Sequence, residues 1–398
     1  MEVWAYGGMR TPLLPYSHTP ILSFSEEVPV SKESLSAHSR EIMEKESRVR
    51  EFLAAEELSA LVLTTQANFC WFTCGGENRV ATGSDLGGAS AIITPEAKYI
   101  VCDNIEAPRL REEEVGAQGF EFKTYNWWES NLADEIRKLA AEPIGADSVI
   151  PGTRLVSISP LRYSLTPQEI SRYRWLGKET GKCLSQTCRE IKPGMNEHEI
   201  AAVLGKKMIT SGIVPNLILI ATDERIEKFR HPIPTDKVLE RYAMVVAGAK
   251  KWGLILSATR IVHFGKIPGE LRKKHEAVMR VDAEFIAHTR PGTAIDLIFR
   301  KGMDAYAQGG FPDEWQQHHQ GGATGYAGRD YRAKQGSKEI VQPNQAFAWN
   351  PSIAGTKSED TVIALPNETE IISAYGDWPM KPIEAESMIV PRGDILEL

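Results

Sequence analysis

Three absences narrow what this chain can be. No apolar run in its 398 residues approaches the roughly 18 residues of a membrane span, so no membrane segment is expected. The start of the chain lacks the basic-then-apolar pattern of a secretion signal, which favours a cytoplasmic protein. The formal charge of −7 comes without a Lys/Arg-rich block beside aromatic residues, so a nucleic-acid partner is not expected.

Cysteine is also scarce. There is no CxxC pair and no histidine at zinc spacing, which argues against a disulfide framework or a zinc finger. We expect reduced and mostly buried thiols. The five cysteines are Cys70, Cys74, Cys102, Cys183 and Cys188.

The composition that remains is that of an ordinary globular protein, with 42% hydrophobic and 25% charged residues. The chain is too long for one ordinary core, so two domains are predicted. Residues 1–40, rich in Ser, Pro and Glu, read as an irregular arm. The proposed domains are 41–160 and 161–398, with the boundary near Ile150-Pro151-Gly152.

The first domain is predicted to be α/β. A charged segment with spaced apolar residues suggests a helix from about Ser36 to Glu56. Short apolar runs bounded by turn residues follow and predict strands. These runs are Ala60 to Leu63, Phe69 to Phe72, Ala89 to Ile93, and Tyr99 to Cys102.

The second domain is predicted to open with a capped helix. Thr166 can cap it, Pro167 suits the first turn, and Glu169 completes a capping box. This helix should run to about Ile191.

A weak internal repeat marks the second domain. Lys192-Pro193-Gly194 recurs 98 residues later as Arg290-Pro291-Gly292, and Gly212 recurs at the same offset as Gly310. Entry into a helix after a Pro-Gly turn is a common device, so chance similarity is the alternative. A true duplication would give two related α+β halves around one cleft, where ligands usually bind.

Polar clusters interrupt the apolar runs of this second domain. They are FRHP at 229–232, SATR at 257–260, WQQHHQGGATGY at 315–326 and WNPSIAGTKSEDT at 349–361. Gly321 and Gly322 have no side chain to keep a ligand from the backbone. The simpler alternative is a tight turn beside structural histidines.

These motifs carry a family resemblance. With HPIPTD, a strand ending in TR, HHQGG..GY and a late SED, the chain from about Thr166 resembles the pita-bread enzymes: creatinase, prolidase, aminopeptidase P and methionine aminopeptidase. The upstream NFCWFTCGGENR resembles the creatinase-type N-terminal domain. The implied fold is an α/β creatinase-like N-terminal domain followed by an α+β pita-bread domain with an internal pseudo-two-fold repeat.

The resemblance also implies five metal-ligand positions. Two aspartate positions fall on Val246 and Ser257, and one glutamate position falls on Asn350; His319 and Glu359 are kept. Two dications need several carboxylates to balance their charge, so stable binding of two metals is not expected and no cofactor is predicted.

A histidine and a carboxylate are residue types that act as general acids and bases in proton transfer. By the resemblance to creatinase, the family's metal-free member, His231 is the predicted acid/base. Glu359 could orient an imidazole, hold a substrate cation, or form a buried ion pair with Arg260. His319 could polarise a substrate carbonyl, and His318 flanks it.

Other residues are predicted to bind substrate. In creatinase an arginine from the partner subunit meets the substrate carboxylate, and Arg79 stands on the loop that would do this, so a homodimer is expected; a solvated loop charge is the alternative. Arg260, Tyr326 and Arg329 are further candidates for the cleft.

The resulting prediction is a metal-independent hydrolase of a C–N bond, amide or amidine, in a small carboxylate-bearing or dipeptide-like substrate. An Xaa-Pro-type peptidase with a degenerate metal site is the first alternative. A lyase on the same scaffold and a non-catalytic binding protein remain open, because a fold does not fix a chemistry.

Overall fold

The structure, a computed structural model, describes the backbone of residues 32–398 and the side chains from residue 39 onward. The predicted irregular arm therefore lies largely outside the described residues. Its last part was wrongly assigned, because helix α1 spans Lys32–Ala55. That segment contains no Pro or Gly and is rich in Lys, Glu, Arg and Ala, which favour helix.

A six-stranded mixed sheet organises the first part of the chain. Its strand order is β4-β3-β2-β1-β5-β6, and β2 runs antiparallel to both of its neighbours. The elements after α1 are β1 Ala60–Thr65, α2 Gln66–Phe72, β2 Leu86–Ile93, β3 Lys98–Asp103, α3 Ala107–Arg109, β4 Glu121–Tyr125, α4 Leu132–Leu139, β5 Ile144–Ala146 and β6 Arg154–Leu155.

The strand predicted over Phe69 to Phe72 is wrong, because this segment lies in helix α2. Thr65 caps the helix by accepting the backbone N–H of Asn68 at 3.4 Å. Asp147 accepts the N–H groups of Thr64 and Thr65 and so satisfies the end of β1. The apolar run is buried on every side of a short helix and therefore shows no helical period.

The second part of the chain packs helices against two larger sheets and two hairpins. The sheet orders are β19-β9-β8-β7 and β11-β10-β12-β15-β16, and the hairpins are β13-β14 and β17-β18. The helices are α5 Ser159–Arg162, α6 Pro167–Glu190, α7 Glu197–Thr210, α8 Glu224–Lys228, α9 Gly269–His288 and α10 Ile295–Gln308. The strands are β7 Val214–Thr222, β8 Tyr242–Lys251, β9 Leu254–His263, β10 Gly321–Thr324, β11 Tyr331–Arg332, β12 Gln345–Trp349, β13 Ser352–Ile353, β14 Thr356–Lys357, β15 Asp360–Ala364, β16 Thr369–Ile371, β17 Met380–Ala385, β18 Met388–Gly393 and β19 Leu396–Glu397.

Helix α6 begins as predicted. Thr166 accepts the N–H of Glu169, and the Glu169 carboxylate accepts the N–H of Thr166 at 2.7 Å, which completes the capping box. The helix ends at Glu190, with Ile191 as its C-cap residue.

The internal repeat is confirmed as a structural duplication. Helices α7 and α10 each contain 14 residues and begin 98 residues apart. The preceding turns match as well: the N–H of Gly194 donates to the carbonyl of Leu239, and that of Gly292 donates to the carbonyl of Val341, both at 2.9 Å. The second part of the chain therefore consists of two related halves, which meet across the two larger sheets.

The five cysteines are all buried and unpaired, as expected. Between residues 32 and 398, no helix is long and apolar enough to cross a membrane. The limits 41–160 and 161–398 remain our proposed division into domains.

Candidate active site

A cleft lies on one face of strands β7, β8 and β9. Val246 and Gly248 project from β8, opposite Leu219 and Leu217 of β7, and Gly248 pairs with Ser257 of β9. Side chains two residues apart on a strand share a face, which explains why these positions meet. The cavity holds about 160 Å³, below the roughly 300 Å³ at which pockets for drug-sized ligands begin. Its lining also includes His231, His319, Arg329, Asn350, Lys357 and Glu359.

Three histidines form a cluster at this cleft, and one ring nitrogen from each lies within 4.8 Å of those of the other two. The Nε2 atoms of His231 and His318 are 3.1 Å apart, so one ring donates a hydrogen bond to the other. The ring centroids of His318 and His319 are 4.5 Å apart. The N–H of Gly321 donates to Nδ1 of His319 at 3.3 Å, so in the neutral ring Nε2 carries the proton.

The segment that carries His231 is fixed from both sides. The N–H of Ile220 on β7 donates to the carbonyl of Pro232 at 3.2 Å. Arg230 forms an ion pair with Glu314 at 2.6 Å, and Glu314 belongs to the 3-10 turn Glu314–Gln317 that precedes His318. The ion pair therefore holds the two histidine-bearing segments together.

All three rings favour the neutral form. Burial lowers the pKa of His318 to about 2 and that of His319 to about 4, and nearby cations add to both effects. The pKa of His231 is lowered by partial burial and then by the positive charge of Lys357. At neutral pH His231 is therefore an uncharged base.

Glu359 is the carboxylate of the cleft, and it is already engaged. Its Oε2 lies 2.8 Å from Nζ of Lys357 and accepts the hydroxyl of Thr259 at 2.6 Å. Its Oε1 lies 3.7 Å from Arg329. Burial alone would raise the pKa of Glu359, but Lys357 and Arg329 outweigh it and the pKa is lowered. Glu359 is thus an anion held between two cations.

The glycine pair is required by strand packing. A Cβ at Gly321 would lie 2.1 Å from the carbonyl oxygen of Ala348, and one at Gly322 would lie 2.2 Å from that of Tyr331. Both glycines belong to β10, which is sandwiched between β11 and β12. The expectation that they admit a ligand is corrected accordingly.

Two residues predicted to bind substrate point elsewhere. Arg260 is buried and forms an ion pair with Asp360 at 2.9 Å, so its guanidinium lies behind the cleft. It donates to the backbone carbonyl of Glu359 at 3.4 Å, and the predicted pairing with the Glu359 carboxylate is replaced by the Asp360 contact. Tyr326 is buried and donates to Glu169 at 2.7 Å. The prediction that Arg260 and Tyr326 bind substrate in the cleft is therefore corrected.

Arg79 lies on the loop after α2, as expected from its sequence position. Its guanidinium forms an ion pair with Glu77 at 2.8 Å. Its predicted contact with a neighbouring subunit's cleft stays a prediction. Arg329 and His318 do lie at the cleft, the first in its lining and the second against His231.

The ligand positions implied by the resemblance converge on this cleft, but they do not fit two metal ions. Val246 offers no donor, while Ser257 and Asn350 bring no negative charge. The buried Oδ1 of Asn350 has no hydrogen-bond partner among the described residues. The remaining carboxylate is occupied by a lysine ammonium. A pair of divalent cations would lack the anionic ligands that hard cations require.

Lys357 is the important residue that the sequence reasoning missed. It lies at the end of β14, two residues before Glu359, and both side chains line the cleft. That spacing within TKSED was the signal that could have revealed it.

Comparison with known proteins identifies the family. Residues 172–370 match the model of metallopeptidase family M24, which covers half of the chain. An uncharacterized peptidase of Staphylococcus epidermidis is 21% identical over 365 residues, covering 84% of this chain and 99% of that protein.

Solved structures agree on the fold. An Xaa-Pro dipeptidase from Bacillus anthracis superimposes with a TM-score of 0.72 at 17% identity, covering 90% of this chain and 100% of that chain. A prolidase from Pyrococcus horikoshii gives 0.71 at 17% identity, with coverages of 84% and 99%. The chain therefore belongs to metallopeptidase family M24 and, at the level of that family, is a hydrolase.

Proposed function

We propose that this protein hydrolyses a C–N bond, amide or amidine, in a small carboxylate-bearing or dipeptide-like substrate, without a metal cofactor and with His231 as the acid/base. One observation carries the proposal. In a cleft where Val246, Ser257 and Asn350 stand at ligand positions, the charge of Glu359 is balanced by Lys357. A neutral histidine at the rim of the same cleft supplies a base.

The charge of the cleft and the described relatives support the proposed substrate class. The charged side chains that line the cleft are Arg329, Lys357 and Glu359, so one positive charge is in excess. A ligand with a single carboxylate would balance it, and an arginine fork suits a carboxylate. The structural relatives described as an Xaa-Pro dipeptidase and a prolidase favour a dipeptide-like molecule.

The reaction needs one base and one acid in sequence. For an amide substrate, His231 takes a proton from water, and the hydroxide adds to the carbonyl carbon while the oxygen takes the electron pair of the C=O bond. The C=O bond then re-forms as the C–N bond breaks, and the leaving nitrogen keeps that electron pair and receives the proton held by His231. The products are a carboxylic acid and an amine.

His318 stabilises the charged intermediate form of His231. Because the pKa of His318 is about 2, its ring stays neutral and its Nε2 can accept a hydrogen bond from the His231 imidazolium. The His231 nitrogen that does not face His318 is then the one that exchanges the proton.

The experiment is a hydrolysis screen of Xaa-Pro dipeptides and small amidino acids with untagged protein, with and without a chelator. Once a substrate is found, His231→Ala should lower turnover by roughly a hundredfold to ten-thousandfold. His198→Ala, at an exposed position on α7, is the control. Full activity in a folded His231→Ala protein, or two metal ions per chain by elemental analysis, would contradict the proposal. Chromatography of the products separates hydrolysis from elimination.

A second candidate is an Xaa-Pro-type peptidase with one metal ion. The observation that favours it is the set of three histidines with nitrogens within 4.8 Å, since imidazoles suit zinc. Against it, Lys357 and Arg332 lower the pKa of these rings and would equally repel a dication. One equivalent of zinc that is lost in His318→Gln would favour this candidate.

We further propose a cytoplasmic homodimer in which Arg79 serves the partner's cleft. The cytoplasmic location is supported by five unpaired buried cysteines, which suit a reducing compartment. The dimer is supported by the resemblance to creatinase alone.

A further inference from the structure

Lys357 is a buried cation at the centre of the cleft. Its side chain is 4% exposed, and that of Glu359 is 3% exposed. Strand β14 delivers it to the same cavity as Val246, Ser257 and Asn350. The ammonium thus stands among the positions at which the family resemblance placed metal ligands.

The charge of Lys357 affects the pKa values of all three histidines at the cleft. Its positive charge contributes to lowering the pKa of His231, His318 and His319, and it is the leading electrostatic cause for the first two. A lysine ammonium has three N–H donors. Its contact with Glu359 therefore leaves donor capacity for an oxygen of a ligand in the cleft.

A divalent cation near Glu359 would have to compete with this ammonium. Two charges of like sign about 4 Å apart repel strongly even at an effective dielectric constant near 20. The ammonium is part of the chain, so it does not have to be bound from solution as a metal ion does. Lys357 can supply permanently the positive charge that a metal would supply on binding.

We propose that Lys357 takes the electrostatic place of the metal ions, so that its ammonium excludes divalent cations from the cleft and donates hydrogen bonds to the substrate oxygen that becomes negatively charged. The exclusion of metal stands on the geometry alone. The role toward substrate rests on the proposed hydrolysis, in which the carbonyl oxygen gains the electron pair.

The first test restores the missing carboxylates and varies only the lysine. Two proteins are compared, Val246→Asp/Ser257→Asp/Asn350→Glu with Lys357 kept, and the same protein with Lys357→Gln. Isothermal titration with MnCl₂ should show at least about a hundredfold tighter binding in the variant without the lysine. Equal affinity for Mn²⁺ in both would overturn the proposal.

A smaller pair of variants serves if the larger ones do not fold. Ser257→Asp and Ser257→Asp/Lys357→Gln differ from the native chain by one and two residues, and each is checked by its thermal unfolding curve. The same titration applies, and only the second should bind Mn²⁺. Binding by the first as tightly as by the second would again refute the exclusion.

The second test concerns substrate. Lys357→Gln should lower kcat by roughly a hundredfold to a thousandfold with a smaller change in KM, as for a lost donor to a developing oxyanion. Lys357→Arg should recover part of the loss, and Lys334→Gln, at an exposed position, should change nothing. An unchanged kcat in Lys357→Gln would remove this role. Failure of the hydrolysis proposal would instead appear as full activity in His231→Ala, and the Mn²⁺ titration would be unaffected.

Discussion

Glu197→Gln is the substitution most informative about how the site is held together. The Glu197 side chain is fully buried at the start of α7. Its Oε1 accepts the N–H of Thr222 at 2.9 Å, and its Oε2 accepts the N–H of Thr235 at 2.9 Å. Both threonine hydroxyls and Arg225 also donate to it. One carboxylate thus joins strand β7, helix α8 and the segment that carries His231.

The cost of the substitution follows from counting acceptors. Glutamine has one side-chain oxygen, so a backbone N–H of either Thr222 or Thr235 loses its acceptor, at about 1–3 kcal/mol. Arg225 loses its charge partner as well. For a broken buried pair the total should be about 3–5 kcal/mol of unfolding free energy.

The assay is urea unfolding followed by tryptophan fluorescence. Glu199→Gln is the matched control, because Glu199 lies on the same helix, is exposed and, among residues 32–398, accepts only the capping N–H of Asn196. That variant should lose less than about 1 kcal/mol. A loss in Glu197→Gln no larger than in Glu199→Gln would refute the view that this carboxylate secures the His231 segment.

Three further predictions concern stability and assembly. Burial lowers the pKa of His318 to about 2 in the folded protein, whereas its pKa in the unfolded chain is near 6.5. Below pH 6.5 the unfolded chain therefore binds a proton that the folded protein does not, and the free energy of unfolding falls as pH falls. Between pH 7 and pH 5 the native protein should therefore lose about 2 kcal/mol more than His318→Gln in urea unfolding, and equal losses would contradict it. Gly321→Ala should cost more than about 3 kcal/mol because its Cβ meets the carbonyl of Ala348, whereas Gly328→Ala, with open space around it, should cost less than about 1 kcal/mol by thermal unfolding. Light scattering at micromolar concentration should give the molar mass of a dimer, and the mass of a monomer would remove the proposed role of Arg79.

Local signals in the sequence predicted what local physics decides. The capping box of Thr166 and Glu169 formed because both partners lie within one turn of helix. The duplicated Pro-Gly turns reappeared as equivalent structures because each requires a glycine at positive φ, +98° at Gly194 and +87° at Gly292. The ligand positions converged because alternation along a strand places residues two apart on one face.

Long-range contacts decided the rest. Helix α2 depends on Asp147, which lies some eighty residues further along the chain and satisfies the end of β1. Arg260 turns away from the cleft because Asp360, on a distant strand, pairs with it. No pattern near Phe69 or Arg260 in the sequence carries that information.

The two halves of the duplication differ at the position that anchors the His231 segment. Ile295 stands 98 residues after Glu197, at the same first position of its helix, and is fully buried. In that half the position only packs, whereas in the first half a carboxylate fastens the His231 segment. A buried carboxylate is costly unless fully bonded, so its presence in one half alone is explained by the segment it anchors.

The charges of the cleft depend on one another. A full set of carboxylates with no cation between them would repel one another in a buried site, and Val246, Ser257 and Asn350 carry no such charge. Glu359 remains ionised because Lys357 lies 2.8 Å away, Arg329 approaches from the other side and the Thr259 hydroxyl donates to it. Replacing Lys357 alone should therefore leave Glu359 as a poorly compensated buried anion. Lys357 and the residues at the three ligand positions therefore act together, and tight metal binding should return only when Lys357 is replaced and at least one carboxylate is restored.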